Sequence, residues 1–293
     1  MTHTLIGNVS DTAYWIAHYR RMESERVDAL FHDPLAGRLA AERGEKIANA
    51  MPRSYITAWA IVMRTCIIDD FIRLAINEGA DTVLNLGAGL DTRPYRMNLP
   101  VSLKWIEADY PHVIDYKEER LAGETPACHL TRFKCDLADD AARRHLLTSA
   151  DKQAKKLLIL TEGVVPYLTV EEVASLGDDL RKLSHAKYWL VDYFSPELLK
   201  YRKRQIGDRM RNAPFKFVPT DWFGFFAEHG WRLREIRYLL DEAQRRKRPP
   251  SLPIFPALVT SVRQLLMSRA RREASRKFAG YMLLEPGITR ADG

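Results

Sequence analysis

The sequence predicts an α/β protein, a doubly wound, mostly parallel seven-stranded sheet with helices on both faces. Three observations predict it. Short runs of Val, Ile and Leu alternate with helix-period segments from residue 81 onward, the pattern of successive βαβ units. The first run passes directly into Gly87-Ala88-Gly89, and a glycine turn at the carboxyl end of a parallel strand is where doubly wound sheets hold nucleotides. The next two runs end on acids, at Asp109 and Asp136.

Composition bounds the rest. The 293 residues, 46% of them hydrophobic, suffice for one large domain or two small ones with an ordinary globular core. No segment approaches the roughly 18 apolar residues that span a bilayer, and residues 1–11 lack the basic-then-apolar order of a signal peptide. A cytosolic, soluble chain is therefore expected. Cys66, Cys128 and Cys135 show no CxxC spacing, so neither a disulfide framework nor a zinc cluster is indicated. The net charge of +7 is asymmetric: residues 196–293 carry 21 Lys and Arg against 10 Asp and Glu, a net of +11, and the remainder 24 against 28, a net of −4. The basic runs are Arg202-Lys203-Arg204, Arg245-Arg246-Lys247-Arg248 and Arg269–Arg272. They suit either polyanion attraction or, more plainly, a solvated helix face.

A helix is expected over residues 12–30, with Ala13, Ile16, Ala17 and Arg20 on one face. Pro34 interrupts it, and Asp33 is placed to cap a helix starting there. Residues 55–77 read as a well buried helix ended by Gly79. Arg64 lies in it among apolar neighbours, so its guanidinium needs an anion: Asp69, Asp70 or a ligand.

After the first strand come Leu103–Asp109, a helix from His112 to Leu121, and the strand His129–Cys135. An acid at the second strand's tip can accept from ribose hydroxyls. Asp136 and Leu137 are placed to meet an adenine amino group and ring, or Asp136 caps a helix over 137–147, roles that are compatible. Leu157–Leu160 delivers Thr161-Glu162-Gly163, and Thr169 with Glu172 forms a capping box. Further strands are expected at 187–194, 233–240 and 281–284, with helical periods at 197–210 and before the last strand, and an exposed loop at 245–256. Residues 1–78 are then an N-terminal helical segment beside the pocket and 79–293 the α/β core. Residues 196–228, with Trp222–Phe226, form either a cap over the pocket or plain core.

Three strand ends in series suit an adenosine-containing ligand. A dinucleotide site would read G-x-G-x-x-G, but Thr92 stands at the third glycine and Asp91 would repel a pyrophosphate. S-adenosylmethionine has no phosphate. Its sulfonium and ammonium suit Asp91, and its carboxylate suits Arg64.

Residues 85–96 (Asn85 to Arg96), Glu107-Ala108-Asp109-Tyr110-Pro111 with Lys117, Asp136-Leu137-Ala138-Asp139 and residues 161–168 (Thr161 to Leu168) together resemble the leucine carboxyl methyltransferase family. The likeness is closest to its bacterial branch of S-adenosylmethionine-dependent O-methyltransferases. It covers most of residues 12–195, including Arg20–Ala36 and Arg64-Thr65 with Asp69-Asp70, and fades C-terminally. The resemblance implies that Arg64 binds the methionine carboxylate and that Gly87, Ala88 and Gly89 wall the methionine moiety. It implies Asp109 for the ribose hydroxyls, Asp136 and Leu137 for the adenine, and Glu162 near the amine and transferred methyl. The implied reaction is metal-free transfer of that methyl to a carboxylate or hydroxyl oxygen of a small molecule, leaving S-adenosylhomocysteine.

A carboxylate acceptor needs no general base, whereas a hydroxyl acceptor does. His18, His112, Tyr167 and Tyr193 are the candidates, with Glu162 and Tyr167 taken as the catalytic pair. The fourth-strand motif Thr161-Glu162-Gly163-Val164 lacks the Asn/Asp-Pro-Pro-Tyr run associated with methylation of base amino groups, which counts against a nucleic-acid substrate. The competing functions are a nicotinamide-dependent oxidoreductase and a non-catalytic binding module with a basic C-terminal face.

Overall fold

The structure is a computed structural model, and it describes residues 5–250 and 269–287. Three helices lead: α1 (Asp11–Ser24), α2 (Ala36–Ala50) and α3 (Ser54–Asn77). There follow β1 (Thr82–Leu86), α4 (Arg93–Arg96), β2 (Lys104–Asp109), α5 (Pro111–Arg120), β3 (His129–Lys134), α6 (Asp140–Gln153) and β4 (Leu157–Thr161). A 3-10 turn at Val165–Tyr167 leads to α7 (Val170–Arg181), β5 (Ala186–Phe194), α8 (Pro196–Ile206), α9 (Trp222–Glu228), β6 (Trp231–Tyr238) and α10 (Leu239–Arg245). The described part closes with α11 (Arg269–Arg276) and β7 (Ala279–Pro286).

The sheet runs β3-β2-β1-β4-β5-β7-β6. β1 pairs in parallel with β2 and β4, and β7 enters antiparallel between β5 and β6. Because β1 lies between β2 and β4, the carboxyl ends of β1, β2 and β4 converge, which is the switch point where such sheets bind ligands. β1 and β4 are buried at every position, as expected for parallel strands covered on both faces.

α3 packs Val62, Met63, Ile67, Ile68, Phe71, Ile72 and Ala75 into the main core with these strands. Its apolar residues extend round most of its circumference because it is covered on several sides. α1 is fixed beside the glycine turn by a smaller cluster of Ala17, Leu35, Leu39, Ala40, Leu90 and Leu121.

Three sequence expectations change. Asp33 does not cap the second helix, whose N-cap is Leu35 with no side-chain bond. Instead Asp33 Oδ2 accepts from Arg20 Nε at 2.8 Å and Thr92 Oγ1 at 2.6 Å, because a cation and a hydroxyl reach it in the buried interior. Asp136 does not cap α6 either: that helix starts at Asp140, and Asp139 accepts from the N–H groups of Ala141 and Ala142. The expected loop at 245–256 begins inside α10, and its part from residue 251 lies outside the described residues. The Thr169/Glu172 capping box forms as its spacing predicts.

The basic run after α10 is paired in place. Arg245 and Arg246 lie 2.8 and 2.6 Å from Asp70 Oδ2, both also meet Glu242, and Arg248 sits beside Glu23 and Asp28. These arginines join α3, α10, α1 and the loop after it, while Arg245 and Lys247 remain exposed, so the run is a paired but partly solvated face. The side chains of Arg269–Arg272 lie outside the described residues.

Candidate functional site

The site begins at the turn after β1. Gly87 has φ +65° and its N–H bonds the Ala108 carbonyl at 2.8 Å. A Cβ there would stand 2.4 Å from Val164 Cγ2, so both conformation and space call for glycine. Gly89, also left-handed at φ +49°, donates its N–H to Asp109 Oδ2 at 2.6 Å, and the Tyr110 N–H donates to Asp109 Oδ1 at 2.7 Å. Two backbone donors thus aim this carboxylate at the cavity from the tip of β2. Burial dominates these bonds and raises its pKa.

Beside the turn lies a buried ionic lattice centred on Arg93. Its Nε lies 2.7 Å from Asp69 Oδ1, and its Nη1 lies 3.0 Å from Asp91 Oδ2 and 2.6 Å from Glu162 Oε2. Asp69 is shared with Arg96, and Asn85 Nδ2 also donates to Asp91 at 2.9 Å. Burial works to raise the Asp91, Asp69 and Glu162 carboxyls, yet the facing arginines outweigh it and hold all three below their ordinary values. α3, the glycine turn and the end of β4 are thereby locked together.

Neither Asp69 nor Asp70 is the partner of Arg64. Arg93 and Arg96 occupy Asp69, and Arg64 Nε lies 2.5 Å from Glu162 Oε1. The contact is an ion pair without hydrogen-bond alignment, since Arg64 Nε has no hydrogen-bond partner. Gly163, at φ +68°, leaves room for the Arg64 guanidinium, which a Cβ would approach to 2.8 Å.

One cavity of about 530 Å³ joins these parts. Its first half is walled by Gly87, Ala88, Gly89, Asp91, Asp109 and Leu137, its middle by Arg64 and Glu162. Asp136 is not among its lining residues: its side chain is exposed, and Oδ1 accepts from the Ala138 N–H at 2.9 Å. Leu137 and Ala138 line the wall in its place.

Of the four candidate bases only Tyr167 lines the cavity. Burial raises its pKa, which keeps the hydroxyl protonated at neutral pH and leaves no phenolate to act as base. His18 is buried in α1, His112 meets Ser10 Oγ on the exposed side, and Tyr193 packs among Trp222, Phe223 and Tyr238.

The far half was not read from the sequence. It holds Asp192, Phe194, Arg202, Phe215, Phe278 and Tyr281, brought from β5, α8, β7 and the segments beside them. Asp192 Oδ2 accepts from the Gly163 N–H at 2.8 Å while Oδ1 is buried without a partner. Burial pushes its carboxyl up to about 6 despite Arg64. An acid at a strand's carboxyl end was the available signal, the same signal that singles out Asp109. Of the 196–228 segment, α8 faces this half through Leu198, Tyr201, Arg202, Gln205 and Ile206, whereas Trp222 and Phe226 belong to the main core.

A family model for leucine carboxyl methyltransferase matches residues 13–180, which contain the glycine turn, Asp109 and Glu162. The chain belongs to the leucine carboxyl methyltransferase family. A Parafrankia sp. (strain EAN1pec) relative, named a putative S-adenosyl-L-methionine-dependent methyltransferase, is 32% identical over 277 residues, covering 88% of each chain. A Streptomyces coelicolor relative named in the same way is 30% identical over 234 residues, 75% of this chain and 82% of that one. The fold matches a solved putative methyltransferase from Thermobifida fusca, with TM-score 0.55, 15% identity and coverage of 93% and 94%. This family member is accordingly an S-adenosylmethionine-dependent methyltransferase. The oxidoreductase and non-catalytic readings give way to it.

Proposed function

We propose that the protein transfers a methyl group to an oxygen, carboxylate or hydroxyl, of a small molecule, and that it does so in the cytosol. The observation that carries this reading is the single cavity running from the backbone-held Asp109, past Arg64 and Glu162, into an aromatic-walled second half. Such a cavity accommodates a nucleoside donor and an acceptor with an aromatic or apolar body end to end.

The residues present fit the donor. Asp109, its oxygens fixed by two N–H groups, offers acceptance to a ribose diol. The glycine turn supplies a wall without side chains, and Leu137 an apolar surface for an adenine. Arg64 has donor capacity left beyond Glu162 for a carboxylate, and Glu162 and Asp91 put negative charge beside a cationic amine and sulfonium. When bound, S-adenosylmethionine supplies a methyl on an already activated sulfonium. The protein's part is alignment and exclusion of water, for which Tyr167 and α8 line the cavity beyond Arg64 and Glu162.

Calorimetry tests the reading. S-adenosylmethionine and S-adenosylhomocysteine should both bind the wild type, and Asp109→Ala should weaken each by about 10-fold or more. Absence of binding by either compound would overturn it.

A further inference from the structure

The far half of the cavity contains two groups that the donor-binding residues leave unused. Arg202, in the second turn of α8, has no ion pair or hydrogen bond among the described residues, yet it lines the cavity. Its guanidinium carbon lies 4.6 Å from the centroid of the Phe215 ring, which stacks on Phe194 and meets Tyr167 edge-on. Asp192, at the end of β5 from which α8 departs, presents the unpartnered Oδ1. We propose that this half binds an aromatic hydroxy acid as its anion, with the carboxylate on Arg202 and the hydroxyl to be methylated on Asp192 Oδ1. The inference rests on the methyl-transfer reading above and assigns the acceptor for that site.

A half-buried guanidinium set over the Phe215 ring, with no ion pair or hydrogen bond among the described residues, lacks part of the compensation a desolvated cation needs. A carboxylate supplies it through the planar two-point contact that guanidinium favours, and the rings of Phe194, Phe215 and Tyr167 give an aromatic body its walls. The methionine carboxylate is a poor alternative for Arg202. The strand order puts the adenosine side at β1, β2 and β3, with β4 between that side and β5, α8 and β7. Arg64, on the β4 side, is the nearer cation to Glu162.

The step balances with these groups. The hydroxyl proton passes to Asp192 Oδ1 as the acceptor oxygen forms its bond to the methyl carbon. The carbon–sulfur bond breaks with its electron pair kept by sulfur, and Asp192 then releases the proton to water. Asp192 is faced by Arg64 from α3, Glu162 and the Gly163 N–H from the end of β4, Tyr281 from β7 and Arg202 from α8. In that setting burial holds its carboxyl at about 6, so it is ionised, and still basic, at neutral pH.

The test uses the full chain saturated with S-adenosylhomocysteine, titrated with 4-hydroxybenzoate, 4-hydroxyphenylacetate and 3-(4-hydroxyphenyl)propanoate and with their carboxamides. The acids should bind the wild type at least about 10-fold more tightly than the amides. Arg202→Met should abolish that preference, with S-adenosylhomocysteine affinity kept within about 3-fold, and Arg202→Lys should restore part of it. With S-adenosylmethionine, Asp192→Asn should still bind the acids but lose about 100-fold or more in kcat, and the wild-type rate should rise with pH through about 6. Binding of S-adenosylhomocysteine without any acid preference overturns this inference and leaves the methyl-transfer reading standing. Failure of S-adenosylhomocysteine to bind the wild type overturns that reading as well. Loss of S-adenosylhomocysteine affinity in folded Arg202→Met would make Arg202 a donor contact and refute the assignment.

Discussion

Arg93 Nη1 donates to Glu162 Oε2 across 2.6 Å, joining the helix that follows the glycine turn to the tip of the fourth strand. The same guanidinium holds Asp69 and Asp91, so one side chain bridges three buried carboxylates, with Arg96 sharing Asp69 and Arg64 sharing Glu162. Arg93→Met should leave those charges without adequate compensation and destabilise the fold by about 3–5 kcal/mol. Urea unfolding measures it, and a loss below about 1 kcal/mol would show that the lattice is not held by Arg93.

The glycine turn makes a separable demand. Gly87→Ala should destabilise both through the left-handed φ and through the contact with Val164 Cγ2. Adding Val164→Ala should relieve the contact alone, leaving a residual of about 1–2 kcal/mol from the backbone. A double-mutant cycle on thermal or urea unfolding resolves the two parts, and strict additivity would argue against the contact.

Asp192 carries a pH signature. Its folded-state pKa of about 6 lies above the ordinary 3.8, so between these values the folded chain binds more protons than the unfolded one. The stability it contributes is full below about pH 4 and is lost as pH rises through 6, an effect of up to about 3 kcal/mol. Asp69 and Glu162, lowered by their arginines, act oppositely and lose stability as pH falls through their folded pKa values. Comparing wild type with Asp192→Asn over pH 4–8 isolates the term: the variant should gain relative stability toward pH 8, and parallel curves would refute the shift.

Arg64 is expected to serve the donor as well as Glu162. Arg64→Met should weaken S-adenosylhomocysteine by about 10-fold or more, whereas a variant of normal affinity would confine Arg64 to its ion pair. Calorimetry on folded protein decides between them.

Most of the fold was legible in the chain because its signals are local. The apolar runs of β1 and β4, the glycines at 87 and 89, and the Thr169/Glu172 capping box each act within a few residues. Asp109 was legible for the same reason, since a strand of known start fixes where its tip lies. Asp33 and Asp136 were misassigned as caps because local spacing cannot see a competing partner: Arg20 and Thr92 took the first, and a helix starting later displaced the second.

By itself the sequence determined the sheet class, the order of its strands along the chain, the glycine turn and the carboxylate at the second strand's tip. Each follows from hydrophobic period or backbone freedom over short spans. Tertiary structure alone decided that β7 inserts antiparallel beside β5, that Arg64 meets Glu162 instead of Asp69 or Asp70, and that Asp192 and Arg202 share a cavity with Asp109. Those relations join residues between 83 and 98 positions apart. Which cation reaches which buried carboxylate is settled by how the helices and strands pack, not by spacing along the chain.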